Sequence, residues 1–313
     1  MTPRVSVIIT AFREETTLGR AIEAFLAQMP DTTSVGVMPD TSGVGVLTDT
    51  ELLVVCPDPG TTAVANAYAE KHACVRHVAD PQQGKPTAVN KGLEAARGDI
   101  VVLSDGDVVV DDRALNPLLR PFRDSQVGAV SGHPVSVSPR KTVLGYWSHL
   151  LTDSIHRMRL ARDRAGRFLV CSGYLFAFRR RLVDRVPEDA LAEDAVVSHL
   201  IAQQGYVIRY APEARVHVRY PSTYGDWLRQ KTRSAGGYTQ PYVRRSKVRM
   251  RSAWLEMRTG TLIALQYPTN AREFLWTMLL FGARLHLWLL VLIKVRLLQR
   301  PLRTLWQRVE STK

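Results

Sequence analysis

Over residues 4–104, four short runs of β-branched and aliphatic residues alternate with three stretches of helical spacing, and that alternation leaves few folds open. Residues 4–10 (RVSVIIT), 51–55 (ELLVV), 74–78 (CVRHV) and 99–104 (DIVVLS) each read as a short buried strand. Between the first two strands, residues 15–28 carry Leu18, Ile22, Phe25 and Leu26 at helical spacing. Residues 61–72 form a second helix. Residues 86–97 form a third, opening on Pro86 at the first position, where a missing N–H does no harm. Strand and helix in this rhythm make βαβ units, so the expected class is α/β with a mostly parallel sheet covered on both faces. Ligands of such sheets bind beyond the carboxyl ends of the strands. Asp58, Asp105 and Asp107 all fall at such ends.

The texture changes after residue 121. A strand is expected over 126–137 and a long helix over 142–166. Residues 168–187 read as strand, turn, strand and short helix. Residues 193–205 form a helix that Gly205 stops, and two short strands precede a helix near 222–235. Residues 35–41 (VGVMPDT) and 44–50 (VGVLTDT) are a near-repeat with a nine-residue period; two copies are too few for a solenoid and suit a surface hairpin or loop. Residues 274–293 are apolar over about the length that crosses a bilayer. Arg284 and His286 sit in the middle of that run, and a central arginine costs about 2.5–3.5 kcal/mol on insertion scales. Trp276, Trp288, Lys294, Arg296 and Arg300 suit a headgroup interface. The expectation is a helix, or a broken pair, lying in a membrane surface or entering it partly. A buried core or dimer helix is the alternative.

With 313 residues, 45% hydrophobic and 23% charged, the chain is no disordered tail and suffices for one large domain or two small ones. Its three cysteines have neither metal nor disulfide spacing and read as reduced thiols in a cytosolic protein. The start of the sequence reads as a strand rather than a signal-peptide core. The net charge of +13 is unevenly spread. Residues 1–120 carry 10 Lys+Arg against 16 Asp+Glu, net −6, and residues 121–313 carry 32 against 13, net +19. Residues 227–258 alone hold nine basic residues and one acidic. Such asymmetry points to a polyanion or an anionic membrane surface, against the plainer reading of a solvated basic face.

Several constellations carry chemistry. In Ser104-Asp105-Gly106-Asp107-Val108, residues two apart point the same way and the glycine permits a tight turn. The two carboxylates then converge on one point and suit a hard divalent cation, Mg2+ or Mn2+, that bridges protein and phosphate oxygens. The competing reading is a turn that caps the next helix, a role assigned here to Asp111 and Asp112. Glu193 and Asp194 begin a helix. They either serve its dipole, worth about 0.3–1 kcal/mol for an exposed carboxylate, or supply a general base on a rigid element. Lys85 precedes a helix N-terminus, a ready anion site. Lys231 and Arg233 lie in QKTRS (230–234), where a guanidinium could grip phosphate oxygens. His217 is either a third metal ligand or structural.

Taken in order, VSVIITAFREE, GKPTAVNKGLEAARGDIVVLSDGDV, AEDAVVSHLIAQQGYVIRYAPEARVHV and LRQKTRS resemble the family 2 glycosyltransferases of the GT-A fold, over about residues 4–235. The resemblance implies a Rossmann-like mixed sheet flanked by helices. It also implies an inverting, metal-dependent transfer of a sugar from a nucleoside-diphosphate sugar, with UDP the family's commonest nucleotide. By this resemblance Asp105 and Asp107 match the D-x-D pair, Asp107 on the metal and Asp105 on ribose or metal. Asp194 matches the base of an E-D pair. Thr10, Ala11 and Glu15 match the nucleotide-contacting end of the first strand, and Asp58 falls where the base is contacted. Arg233 matches the arginine of Q-x-x-R-W near the diphosphate, joined there by Lys85. Ser172 and Gly173 fall at the floor of the acceptor site. Two departures stand out. The usual Asp-Asp-Gly-Ser after the second strand is here Cys56-Pro57-Asp58-Pro59-Gly60, and the tryptophan of Q-x-x-R-W is Ser234. The second argues against long processive synthesis and for adding one or a few sugars.

The implied organisation is a catalytic domain over 1–235, with a nucleotide half at 1–120 and an acceptor half at 121–235, followed by a basic, apolar helical extension over 236–313. The implied partners are a nucleotide-sugar donor, a saccharide or lipid-linked acceptor and an anionic membrane surface on the cytoplasmic side, with no nucleic acid. The sequence leaves rivals. A sugar-phosphate nucleotidyltransferase would carry a Gly-rich basic loop where AFREE follows the first strand. A membrane-associated non-catalytic or nucleic-acid-binding protein would use the basic half alone, with Tyr238, Tyr242 and Trp254 near it but no recognised nucleic-acid motif.

Overall fold

The computed structural model describes residues 4–29, 50–237, 240–244, 260–293 and residue 312. The four expected strands form as β1 (Val5–Thr10), β2 (Thr50–Cys56), β3 (Val75–Ala79) and β4 (Ile100–Asp105). The helices between them are α1 (Leu18–Leu26), α2 (Pro59–Lys71) and α3 (Lys85–Ala95). All six residues of β1 are buried, and its neighbours on both sides are parallel, with Thr10 in register with Val55 and with Asp105. Successive side chains leave the sheet on opposite faces. Val7 and Ile9 therefore join the cluster holding Leu18, Ile22 and Phe25 of α1, whereas Ile8 joins the one holding Val89 and Leu93 of α3. Both faces are covered, as the unbroken apolar strands require.

The second half extends the same sheet. After the two-residue β5 (Val109–Val110) and short α4 (Leu115–Leu119) come β6 (Val127–Ser136), the 22-residue α5 (Val143–Arg164), β7 (Leu175–Arg179), α6 (Glu193–Gln203) and β8 (Val207–Val218). The eight strands lie in the order β3-β2-β1-β4-β7-β6-β8-β5. β7 runs antiparallel between β4 and β6, so the sheet is mixed. Helices α7 (Tyr224–Gly237), α8 (Pro241–Arg244), α9 (Thr261–Gln266) and α10 (Ala271–Val291) follow. A third apolar cluster joins Tyr146, Trp147 and Leu150 of α5, Trp227 of α7, Ala264 of α9, and Leu280 and Ala283 of α10.

Two expectations change. The two strands expected over 206–221 are one, β8, whose pairing with β6 slips between Tyr210 and Arg215, so that Ala211–Ala214 are accommodated as an irregularity and Pro212 sits where no ladder N–H is needed. Asp111 does not cap α4 with its side chain: the N-cap is Ala114, without a side-chain cap, and the Asp111 carboxylate turns to His217 instead. α7 runs to Gly237, two residues past the expected boundary at 235. The near-repeat at 35–50 lies, apart from Thr50, outside the described residues.

Candidate active site

The site is built where β1 and β4 end side by side. Thr10 Oγ1 donates to Asp105 Oδ1 at 3.2 Å. Gly106 then turns the chain, its N–H bonded to the Thr10 carbonyl, and it lies so close to Ala11 that an added Cβ would meet the alanine methyl at 2.7 Å. Only glycine fits this step, which carries the chain from Asp105 to a half-buried Asp107. Opposite, Gly84 adopts φ +107°, a left-handed region that favours glycine, and starts α3 so that Lys85 is its first residue.

Lys85 Nζ lies 2.7 Å from Asp105 Oδ1 and 2.7 Å from Glu193 Oε1. One ammonium thus joins the end of β4 to the start of α6. Burial opposes its charge, but Asp105 and Glu193 outweigh that and hold its pKa above the ordinary lysine value. Burial likewise opposes the Glu193 carboxylate, and Lys85 outweighs it, with Arg233 of α7 adding to the same effect. A cleft opens among Thr10, Lys85, Asp105, Gly173 and Glu193.

Asp194, next along α6, is set differently. Its Oδ2 accepts from the Gly173 N–H at 3.0 Å and its Oδ1 from its own neighbour, the Ala195 N–H, at 2.8 Å. Burial first, then the adjacent Glu193 charge, push its carboxyl up to about 6. The two carboxylates of one helical turn are therefore held on opposite sides of their normal range.

The loop 171–174 has no ladder of its own, and side chains satisfy its N–H groups in turn. Cys171 N–H bonds to Ser198 Oγ, Ser172 N–H to Ser131 Oγ and Gly173 N–H to Asp194. Ser104 Oγ donates to the Tyr174 carbonyl, tying the loop to the strand that carries Asp105. From the other side, Asn90 of α3 makes a two-way bond with the Val186 backbone, both contacts 2.8 Å, and so fixes the approach to α6.

The expected residues thus divide. Thr10, Lys85, Asp105, Gly173, Glu193 and Asp194 are brought together, and Arg233 and Asp107 lie within electrostatic reach of Tyr174 beside them. Ser172, a residue of that loop, is buried. Asp58 is the N-cap of α2: its oxygens accept from the Thr61 N–H and hydroxyl and from the Arg13 N–H. Those bonds outweigh burial and hold its carboxyl below the usual range. Ala11 is buried, its N–H on Val55, and exposed Glu15 sits over Gly60 at the start of α2. His217 lies on β8 opposite Val109 of β5. Its Nε2 is taken by Asp111, and among the described residues no three His, Cys, Asp or Glu side chains gather closely enough to hold a metal, so the expected trio of Asp105, Asp107 and His217 is not assembled. Sequence reasoning missed Tyr174, whose hydroxyl meets Gln230 Nε2 at 3.4 Å and whose ring stands edge-on to Tyr220. The signals were present in the tyrosine of CSGY and the glutamine of QKTRS.

A family model described as "Glycosyltransferase like family 2" matches residues 3–237. The chain belongs to the family 2 glycosyltransferases. Its relatives include a probable glycosyltransferase, YdaM, of Bacillus subtilis, 27% identical over 246 residues, which cover 75% of this chain and 55% of that one. A poly-β-1,6-N-acetyl-D-glucosamine synthase of Staphylococcus aureus is 31% identical over 160 residues, 50% of this chain and 39% of the synthase. This family 2 chain therefore spans about half the length of the curated relatives it matches. Among solved structures, the mannosyltransferase PcManGT of Pyrobaculum calidifontis, in complex with GDP-Man and Mn2+, superposes with a TM-score of 0.59 at 22% identity over 97% of this chain and 83% of that one. The likeness shows the fold, a mixed α/β sheet with flanking helices.

Proposed function

We propose that this family 2 chain transfers a sugar from a nucleoside-diphosphate sugar to a hydroxyl acceptor by one inverting displacement. The observation that carries the reading is the double contact of Lys85 with Asp105 and Glu193, because one lysine, the first carboxylate of the D-x-D pair and the glutamate of the E-D pair line one cleft. Asp194 takes the proton as the acceptor oxygen attacks the anomeric carbon. The bond from that carbon to the diphosphate oxygen breaks, and the nucleoside diphosphate leaves on the opposite face. Lys85 and Arg233 neutralise the charge that grows on the leaving group. Gly173 holds Asp194 in place through its N–H.

Asp105 and Asp107 would hold Mg2+ or Mn2+. Two carboxylate oxygens from a strand-end turn suit a cation that takes its remaining ligands from phosphate and water, so no third protein ligand is needed. When bound, the ion would supply Lewis-acid compensation of diphosphate charge. The solved neighbour's GDP-mannose and Mn2+ support a nucleotide-sugar donor and a divalent ion as a class. UDP remains the first nucleotide to try on the family's habit, with GDP next on that neighbour's complex. The acceptor is a saccharide or lipid-linked hydroxyl at the cytoplasmic face of a membrane. The related poly-N-acetylglucosamine synthase supports a cell-envelope setting.

Titration calorimetry of the full chain with UDP, GDP and dTDP, in Mn2+ and in EDTA, tests this. Metal-dependent binding of one nucleotide, lost in Asp107→Ala, is expected. Failure of all three to bind would remove the donor-site assignment.

A further inference from the structure

Among the described residues, thirteen large hydrophobics are exposed, and ten of them fall between residues 262 and 293. Leu262 and Leu265 lie on α9. Phe274, Leu275, Leu279, Leu285, Trp288 and Leu289 lie on α10, with Leu275 at 58% and Leu285 at 63% exposure. Scattered apolar residues need no explanation, but a continuous stripe on one helix does.

The opposite side of α10 is fully engaged. Glu273, Thr277, Leu280, Ala283, Leu287 and Val291 are buried at helical spacing, a stripe about 27 Å long. Polar ties run along it. Arg140 pairs with Glu273, Tyr146 OH meets Thr277 Oγ1 at 2.7 Å, the Trp147 indole donates to the Trp276 carbonyl, and Tyr224 OH meets His286 Nδ1 at 2.9 Å. A helix that crossed a bilayer on this axis would drag the Arg140–Glu273 pair and the helices α5 and α7 into hydrocarbon along with it. The helix is thus long and apolar enough to span, yet built to lie on a surface with one face on protein and the other outward.

What covers the outward face is indicated by charge. In the sequence, residues 244–258 before it hold six basic residues and one acidic, and residues 294–313 after it again hold six and one. An apolar helical stripe whose neighbouring sequence, before and after, is rich in Lys and Arg complements an anionic phospholipid surface. The geometry points to a monotopic docking surface: α9 and α10 lie in the plane of an anionic bilayer, the exposed stripe entering its interface and α5 and α7 staying in water. This does not depend on the catalytic reading, because the surface and its test involve no turnover.

Full-length protein is mixed with vesicles of phosphatidylcholine, with and without phosphatidylglycerol, and bound protein is measured by flotation. Binding to the anionic vesicles that weakens with salt is expected. Leu279→Glu or Leu289→Glu should lower partitioning roughly tenfold with an unchanged circular-dichroism spectrum. Spin labels on Leu275→Cys, Leu279→Cys and Leu289→Cys, in a Cys74→Ser background, should report one shallow depth. A depth that shifts by about 20 Å from residue 275 to residue 289 would mean a spanning helix and overturn the proposal. So would vesicle binding indifferent to the glutamates. Absence of vesicle binding together with self-association that the glutamates abolish would make a second copy of the chain the occupant, and would overturn it equally.

Discussion

Asp194 must lose a proton to act as a base, yet burial and the Glu193 charge raise its carboxyl to about 6, well above an exposed aspartate. The rate should therefore fall about tenfold per unit as pH drops below about 6, and kcat/KM profiles check this. The sign for stability is opposite. A carboxyl raised on folding favours the protonated native state, so stability declines as pH rises from about 4 to about 6, and the penalty persists above. Asp194→Asn is expected to lower activity by about 10²–10⁴ and to gain about 1–2 kcal/mol at pH 8 but nothing at pH 4, read from denaturant melts at both. Lys85→Ala should do the reverse, leaving half-buried Asp105 and buried Glu193 without their shared cation. A loss of about 2 kcal/mol or more, together with at least tenfold weaker nucleotide binding, is expected by melting and calorimetry. Each of these residues is legible in its motif, because Asp-Gly-Asp, Gly-Lys and Glu-Asp are local patterns. Their meeting is not, since residues 85, 105 and 193 converge only through the register of β1 with β4 and the anchoring of α6 by Asn90. Tyr174 escaped notice for the same reason. Nothing near it in sequence tells that Gln230 and Tyr220 will face it.

Elements were most legible where one face pattern decided everything. Strands buried on both faces, such as β1 and β2, announce themselves as unbroken aliphatic runs. β8 reads as two strands because Pro212 looks like a break, and only the partner strand reveals that the irregularity is absorbed within the ladder. The apolar run at 274–293 posed a choice between core, surface and span that composition cannot make; the buried stripe and its polar ties show that one face of this helix packs on protein. Two termini are open to direct test. Gly84→Ala places a Cβ at φ +107° and should cost about 1–2 kcal/mol while misplacing Lys85. Asn270 caps α10 by accepting from the Glu273 N–H at 3.0 Å, so Asn270→Ala should cost about 1 kcal/mol and leave nucleotide binding unchanged, as followed by thermal melting.

At the scale of the whole molecule, charge and fold tell a common story of two unlike halves joined in one sheet. The acidic first half supplies β1 to β5, and the basic second half supplies β6 to β8 and every helix from α5 onward. A ligand that bridges the halves should stabilise the whole. Nucleoside diphosphate with Mn2+ at a hundredfold over its Kd is expected to add about 2.7 kcal/mol, visible as a single upward shift of the melting transition, and EDTA should erase it. The strand order has a further result for how the chain is made. β4, which carries Asp105, is completed only when β7 pairs with its open side, and β7 ends at Arg179. At about 5–20 residues per second, a ribosome leaves that apolar edge bare for roughly 4–15 s after Asp105 emerges. An unpaired edge strand is a template for another chain. Nascent copies on one messenger would therefore be at their stickiest in that window. Slow codons between residues 105 and 179 should lower soluble yield more than the same codons placed after residue 218.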